Sequence, residues 1–164
     1  MKKFLAISLI SLLLINCKKN DSDPANQPCT YDPCVTIAPT AEIQAVQNYL
    51  TTNSITATQH CSGLFYKIEN AGTGVAPDAC SYVTIKYVGK LTNGTIFDQT
   101  QGNNTYSNYL TSLIKGWTNG VPYIKTGGRI ILYIPPTLGY GSQANGPIPA
   151  NSILIFDIDL INVQ

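Results

Sequence analysis

Charge is scarce in this sequence. Only 12% of its 164 residues are Asp, Glu, Lys or Arg, about half the ~25% usual in a globular protein. The net charge is +1, so no basic field is available to attract nucleic acid, and that class of partner is set aside. Histidine is nearly absent. The single His60 and the spacing of the cysteines do not suit a zinc site. His60 reads as a solvated residue ahead of a strand rather than a ligand or base. No apolar run reaches the ~20 residues that cross a bilayer. What is present suffices for a core. Hydrophobic residues make up 44% of the chain, enough for one compact domain with accessory segments.

Lys2 and Lys3 precede a nearly unbroken apolar run from Phe4 to Ile15, the length of a signal-peptide core. The run stops at Asn16-Cys17, where a polar tail begins. This junction resembles a bacterial lipoprotein box. It implies a signal peptide over residues 1–16, with Cys17 as the lipidated first residue of the mature chain. Several acyl chains there would anchor the protein to a membrane surface. The expected location is that of an exported, membrane-anchored lipoprotein of the outer membrane, facing the periplasm or the cell surface. Beyond Cys17 stand Cys29, Cys34, Cys61 and Cys80, an even number that suits disulfides in an oxidising compartment. Three pairings exist. Loop closure favours near neighbours, Cys29 with Cys34 and Cys61 with Cys80.

Residues 17–39 hold Pro24, Pro28, Pro33 and Pro39 among Asn, Asp, Ser and Gln. The composition predicts a lipidated flexible tether with little packing potential. Thr40 then offers an N-cap, with Glu42 in the first turn. Ile43, Val46 and Leu50 form one helical stripe, so residues 40–54 are expected to be a helix ending near Asn53. Its expected role is to pack on the domain or to space it from the membrane.

From residue 55 to 164 the pattern is that of short strands. Ser62 to Glu69, Tyr82 to Leu91, Thr95 to Asp98, Arg129 to Ile134 and Ile153 to Val163 are the expected strands. Asn93-Gly94 is a hairpin turn. Gln99 to Asn108 reads as a loop or a bulged continuation, and Thr137 to Pro149 as a long Gly- and Pro-rich loop. A short helix is expected between Leu110 and Ile124. About five strands and one short helix make an α+β arrangement, with the helix covering one face of the sheet.

Five separated motifs stand in order: Tyr87-Val88-Gly89-Lys90-Leu91, Thr95-Ile96-Phe97-Asp98, Leu113-Ile114-Lys115-Gly116-Trp117, Leu138-Gly139-Tyr140-Gly141 and Ile153-Leu154-Ile155-Phe156-Asp157. Together they resemble the FKBP-type peptidyl-prolyl cis-trans isomerases, over about Ser62 to Gln164. The resemblance implies a twisted antiparallel sheet of about five strands wrapped on one short helix. It also implies an enzyme that speeds rotation of X–Pro bonds in exported proteins, with no metal, cofactor or covalent step.

That reaction sets modest chemical requirements. The amide must rotate over a barrier of about 18–20 kcal/mol. Its planar ground state is more charge-separated than the twisted state, so a dry apolar pocket penalises the ground state more. By resemblance, Trp117 is the pocket floor, and Tyr87, Phe97 and Phe156 are the walls. Leu113 and Ile114 bind substrate, with the Ile114 N–H holding a carbonyl. The Tyr140 hydroxyl aims at the reacting amide, and Asp98 places negative charge beside the twisting bond. Ile148 closes the loop side. The family has a further Phe before the helix; here Tyr106 and Tyr109 both qualify. The implied partners are proline-containing polypeptide clients, the membrane through the lipid anchor, and a macrolide inhibitor of the FKBP class. The chain is expected to be a monomer.

Each of these side chains has a plainer reading as core. Asp98 discriminates, because an acid beside an aromatic in a strand is poorly explained by packing. Two rivals stand beside the isomerase. One is a non-catalytic proline-peptide binding module or chaperone on the same fold. The other is a structural lipoprotein with an unrelated β-rich fold.

Overall fold

The computed structural model describes residues 28–164. The signal peptide, the Cys17 lipidation site and the first part of the tether lie outside the described residues. Among the described residues, no helix is long and apolar enough to cross a membrane.

Two ten-residue strands form the middle of the sheet, β3 (Tyr82–Leu91) and β7 (Leu154–Val163). β6 (Arg129–Ile134) flanks β7, followed by β2 (Phe65–Asn70) and the two-residue β1 (Thr58–Gln59). On the other side of β3 lie β4 (Ile96–Gln99) and β5 (Tyr106–Tyr109). Every pairing is antiparallel. Branched and aromatic residues dominate these strands, as suits a pleated, half-buried surface.

Strand alternation builds two faces. On one, Leu154, Phe156, Ile158 and Leu160 of β7 line up with Ile130, Leu132 and Ile134 of β6 and with Val83 and Ile85 of β3, all buried. The short helix α2 (Lys115–Gly120) lies on this face. Its close seat depends on two glycines. A Cβ on Gly116 would come within 2.5 Å of Ile134 Cδ1, and one on Gly120 within 2.5 Å of Leu132 Cδ2. On the opposite face, Val46 and Leu50 of helix α1 (Thr40–Thr52) pack with Phe65 and Tyr133. Burying each such aliphatic side chain is worth about 1.5–3 kcal/mol.

The sheet has seven strands rather than about five. The additions are β1 and β5. β4 pairs with Val88, Gly89 and Lys90, while β5 pairs with Tyr82 to Ile85. They form one interrupted edge along β3, the bulged continuation that the polar segment allowed.

The tether expectation needs correction beyond Pro28, because this stretch is fastened to the domain. Cys29 is bonded to Cys80 and Cys34 to Cys61, with Cα separations of 5.7 and 5.6 Å. The near-neighbour pairing therefore does not occur. Closing a loop twice as long costs only about 0.6 kcal/mol more, so the folded positions decide the partners. Tyr31 Oη donates to Asn119 Oδ1 at 2.7 Å, and Asn119 Nδ2 donates to the Pro33 carbonyl at 3.2 Å. Proline-rich composition predicts extension but says nothing of what an extended strap lies against.

His60 is also not solvated. It is 7% exposed, edge-on to Tyr123, with Nδ1 accepting the Ser62 N–H at 3.1 Å. Its place between β1 and β2, beneath the strap, buries it.

Candidate active site

The site grows from the face of the sheet that α2 covers. Tyr87 and Phe156 stand on the adjacent strands β3 and β7. Trp117 enters from the second residue after the start of α2. The Trp117 ring is edge-on to Phe156 at 4.9 Å and to Tyr87 at 5.1 Å. Such crossed rings are held beyond their apolar burial by the match of ring edge to ring face. Trp117 is 4% exposed, and its Nε1 is buried without a hydrogen-bond partner among the described residues. An unpaired buried donor costs about 1–3 kcal/mol, so the packing of this ring outweighs that penalty.

Around the three rings lies an open cavity of about 180 Å³. Tyr87, Asp98, Tyr106, Leu113, Ile114, Trp117, Tyr140 and Phe156 line it. The segment before α2 turns sharply. Ile114 is extended, its carbonyl accepts from the Trp117 N–H at 2.9 Å, and its own N–H has no acceptor among the described residues. That leaves a backbone donor at the cavity edge.

Asp98 and the hydroxyl-bearing Tyr87, Tyr106 and Tyr140 give the cavity its polar side. Asp98, on β4, is exposed at the rim, and the Tyr87 hydroxyl donates to its Oδ2 at 2.5 Å. Tyr140 sits after the 3-10 turn Pro136–Leu138. Burial, and then the hydrogen bond and charge of Asp98, push the Tyr87 hydroxyl well above its ordinary pKa. Burial, then Asp98 and Tyr106, also raise Tyr140. Both phenols therefore stay protonated and can donate.

Three expected residues stand outside the cavity lining. Phe97 lies behind it, edge-on to Phe156 at 5.4 Å, as a second layer of the wall. Ile148 is 5% exposed and belongs to the main core cluster. Tyr109 is turned away and packs edge-on to Tyr82 at 4.9 Å. Tyr106 and Tyr109 are three apart on one strand, so they face opposite sides of the sheet, and only Tyr106 reaches the cavity.

Gly89 is a shaping residue whose role was not apparent beforehand. A Cβ there would come within 2.7 Å of both Phe97 and Phe156. Its signal in the sequence is a glycine at a core-facing position of a strand otherwise rich in branched residues.

The chain has counterparts among known proteins. Residues 74–161 match the family model described as FKBP-type peptidyl-prolyl cis-trans isomerase. The chain belongs to that family. A probable FKBP-type peptidyl-prolyl cis-trans isomerase of Haemophilus influenzae is 45% identical over 105 residues, covering 63% of this chain and 44% of that protein. A peptidyl-prolyl cis-trans isomerase structure from Pseudomonas syringae superposes with a TM-score of 0.66 at 33% identity, covering 79% of this chain and 98% of that one. The crystal structure of FkpA from Escherichia coli gives 0.68 at 36% identity, covering 76% and 60%. The chain spans less than half the length of the curated FKBP-type relatives it matches. The architecture is that of the FKBP-like α+β fold, an antiparallel open sheet with short helices, and the family is one of enzymes.

Proposed function

We propose that the chain catalyses cis-trans isomerisation of X–Pro bonds in the cavity floored by Trp117. The observation that carries this reading is the crossed set of Trp117, Tyr87 and Phe156 beneath a rim bearing Asp98 and Tyr140. An apolar floor accepts the proline ring. The free Ile114 N–H holds a carbonyl on one side of the bond, and the Tyr140 hydroxyl holds another. Asp98 stands where charge separation changes as the amide twists. Phe97 and Ile148 support the walls from behind. No proton leaves the substrate and no covalent bond forms. Each tenfold in rate needs about 1.4 kcal/mol of stabilisation present only in the twisted state.

The partners in this reading are proline-containing segments of exported polypeptides. The signal-peptide pattern and the disulfides of residues 29–80 favour an oxidising compartment. Cys17 would hold the mature chain at a membrane, with residues 55–164 as the working domain. A macrolide of the FKBP class would compete for the same cavity, and the chain would act as a monomer.

The test is exchange NMR, or a protease-coupled assay, of an X–Pro peptide with the purified chain. Acceleration that falls in Asp98→Ala and Tyr140→Phe is expected. Binding of the peptide without acceleration would leave a binding module, and the absence of both binding and acceleration would overturn the reading.

A further inference from the structure

The family match begins at residue 74, yet one side chain of α1 reaches the loop that carries Tyr140. Glu42 Oε2 accepts from the Thr137 N–H at 2.8 Å, and Glu42 Oε1 accepts from the Thr137 hydroxyl at 2.8 Å. These are charge-assisted bonds, made by both carboxylate oxygens to a single residue. Thr137 is the middle residue of the 3-10 turn Pro136–Leu138, three residues before Tyr140. The turn sets the course of the next segment, because the Gly139 and Gly141 N–H groups both donate to the Pro136 carbonyl at 2.9 Å.

The base that holds Glu42 is stiff. Its neighbour Ile43 is wedged against Gly63, where a Cβ would meet Ile43 Cδ1 at 2.7 Å, and Ile43 packs against both core clusters. The loop itself has few ties of its own. Beyond the turn, Asn151 N–H donates to the Gly141 carbonyl at 2.9 Å, and Asn145 and Ile148 bond each other. Tyr140 is 39% exposed, and its hydroxyl makes no hydrogen bond among the described residues. Its position is therefore inherited from the turn.

We infer that Glu42 is a positioning residue for catalysis, clamping the Pro136–Leu138 turn so that the Tyr140 hydroxyl is held over the cavity. Helix α1 is then part of the working site rather than a spacer. This inference rests on the activity proposed above.

The experiment is a double-mutant cycle in the full chain, joined to amide hydrogen exchange. Glu42→Ala is expected to lower kcat/KM for an X–Pro peptide about five- to tenfold, chiefly through kcat, by loosening a group that acts on the twisted state. Glu42→Gln is expected to stay within about twofold, since its amide oxygen still accepts the Thr137 N–H and its NH2 can donate to the hydroxyl. In a Tyr140→Phe background the Glu42→Ala effect is expected to shrink below about twofold, because residues coupled through a shared backbone segment do not act additively. A purely structural loss lowers Tm but does not produce that coupling. Exchange at the Gly139 and Gly141 amides is expected to quicken about tenfold in Glu42→Ala, with Ile130 and Leu132 unchanged. Were the wild-type chain inactive, the activity reading would fail, and the exchange rates would still decide whether Glu42 clamps the turn. Unchanged exchange at Gly139 and Gly141, or an equal fall in kcat/KM in both backgrounds, overturns the inference.

Discussion

Tyr87 holds Asp98 from the neighbouring strand. Asp98 stands opposite Gly89 in the β3–β4 register, and Tyr87 reaches it on the diagonal, its hydroxyl 2.5 Å from Oδ2. Diagonal pairs are close enough for long side chains to meet. One carboxylate oxygen is thus tied down while the group remains exposed at the cavity rim. Removing the charge with Asp98→Ala is expected to lower kcat/KM by about tenfold or more, the scale of losing one aimed electrostatic group. Tyr87→Phe frees the carboxylate without removing it and is expected to cost about two- to fivefold, as for one hydrogen bond. Equal losses in the two variants would show that the tie, not the charge, matters.

The rate of isomerisation should be nearly flat with pH. Burial and the Asp98 interaction raise the Tyr87 phenol, and burial and Asp98 raise Tyr140, both above their ordinary 10.0. Raised values keep the hydroxyls protonated across the neutral range. Peptide exchange rates measured from about pH 6 to 9 are expected to vary less than about twofold. A bell-shaped profile centred near neutrality would sink the mechanism.

Stability should instead respond to acid through His60. Burial lowers its pKa below the ordinary 6.5. The unfolded chain then binds the proton more readily than the folded one. The contribution of His60 is therefore fully present above pH 6.5 and is lost as pH falls through the lowered folded value. Thermal melts across this window are expected to show Tm falling toward acid. The fall should be shallower in His60→Gln, and an unchanged slope would remove His60 as its cause.

Gly89→Ala should damage the aromatic wall. The added methyl would lie 2.7 Å from Phe156 Cε1 and from Phe97 Cε2 and Cζ. Overpacking of this kind costs about 1–3 kcal/mol. Denaturant melts are expected to show that loss, accompanied by weaker peptide affinity as Phe156 shifts. A variant with wild-type stability and affinity would mean the rings yield freely.

Peptide mapping under non-reducing conditions should find Cys29 joined to Cys80 and Cys34 to Cys61. Bridges that close loops with sequence separations of 51 and 27 are each expected to contribute about 3–4 kcal/mol on the chain-entropy view. Reduction of both should therefore lower Tm by about 15–30 °C. Recovery of a Cys29–Cys34 peptide would contradict the strap geometry.

Much of this protein follows from patterns local in the chain. β3 and β6 occupy the expected residues because the alternation in Tyr82–Leu91 and the run of mostly branched residues in Arg129–Ile134 are local signals. α1 follows from the stripe of Ile43, Val46 and Leu50, and the turn at Gly94 (φ +85°) from Asn93-Gly94. The ordered aromatic motifs carry the family resemblance, and the resemblance implies one pocket. Only the tertiary structure chose Tyr106 over Tyr109, set Phe97 behind Phe156, buried His60 and paired the cysteines. It also brought Glu42 to Thr137 across 95 residues of chain. The physical reason is the same in each case. Local sequence determines which way a residue faces relative to its neighbours, whereas strand order and register determine what it faces. Those are set by the burial of the whole sheet, and no window of a dozen residues contains them.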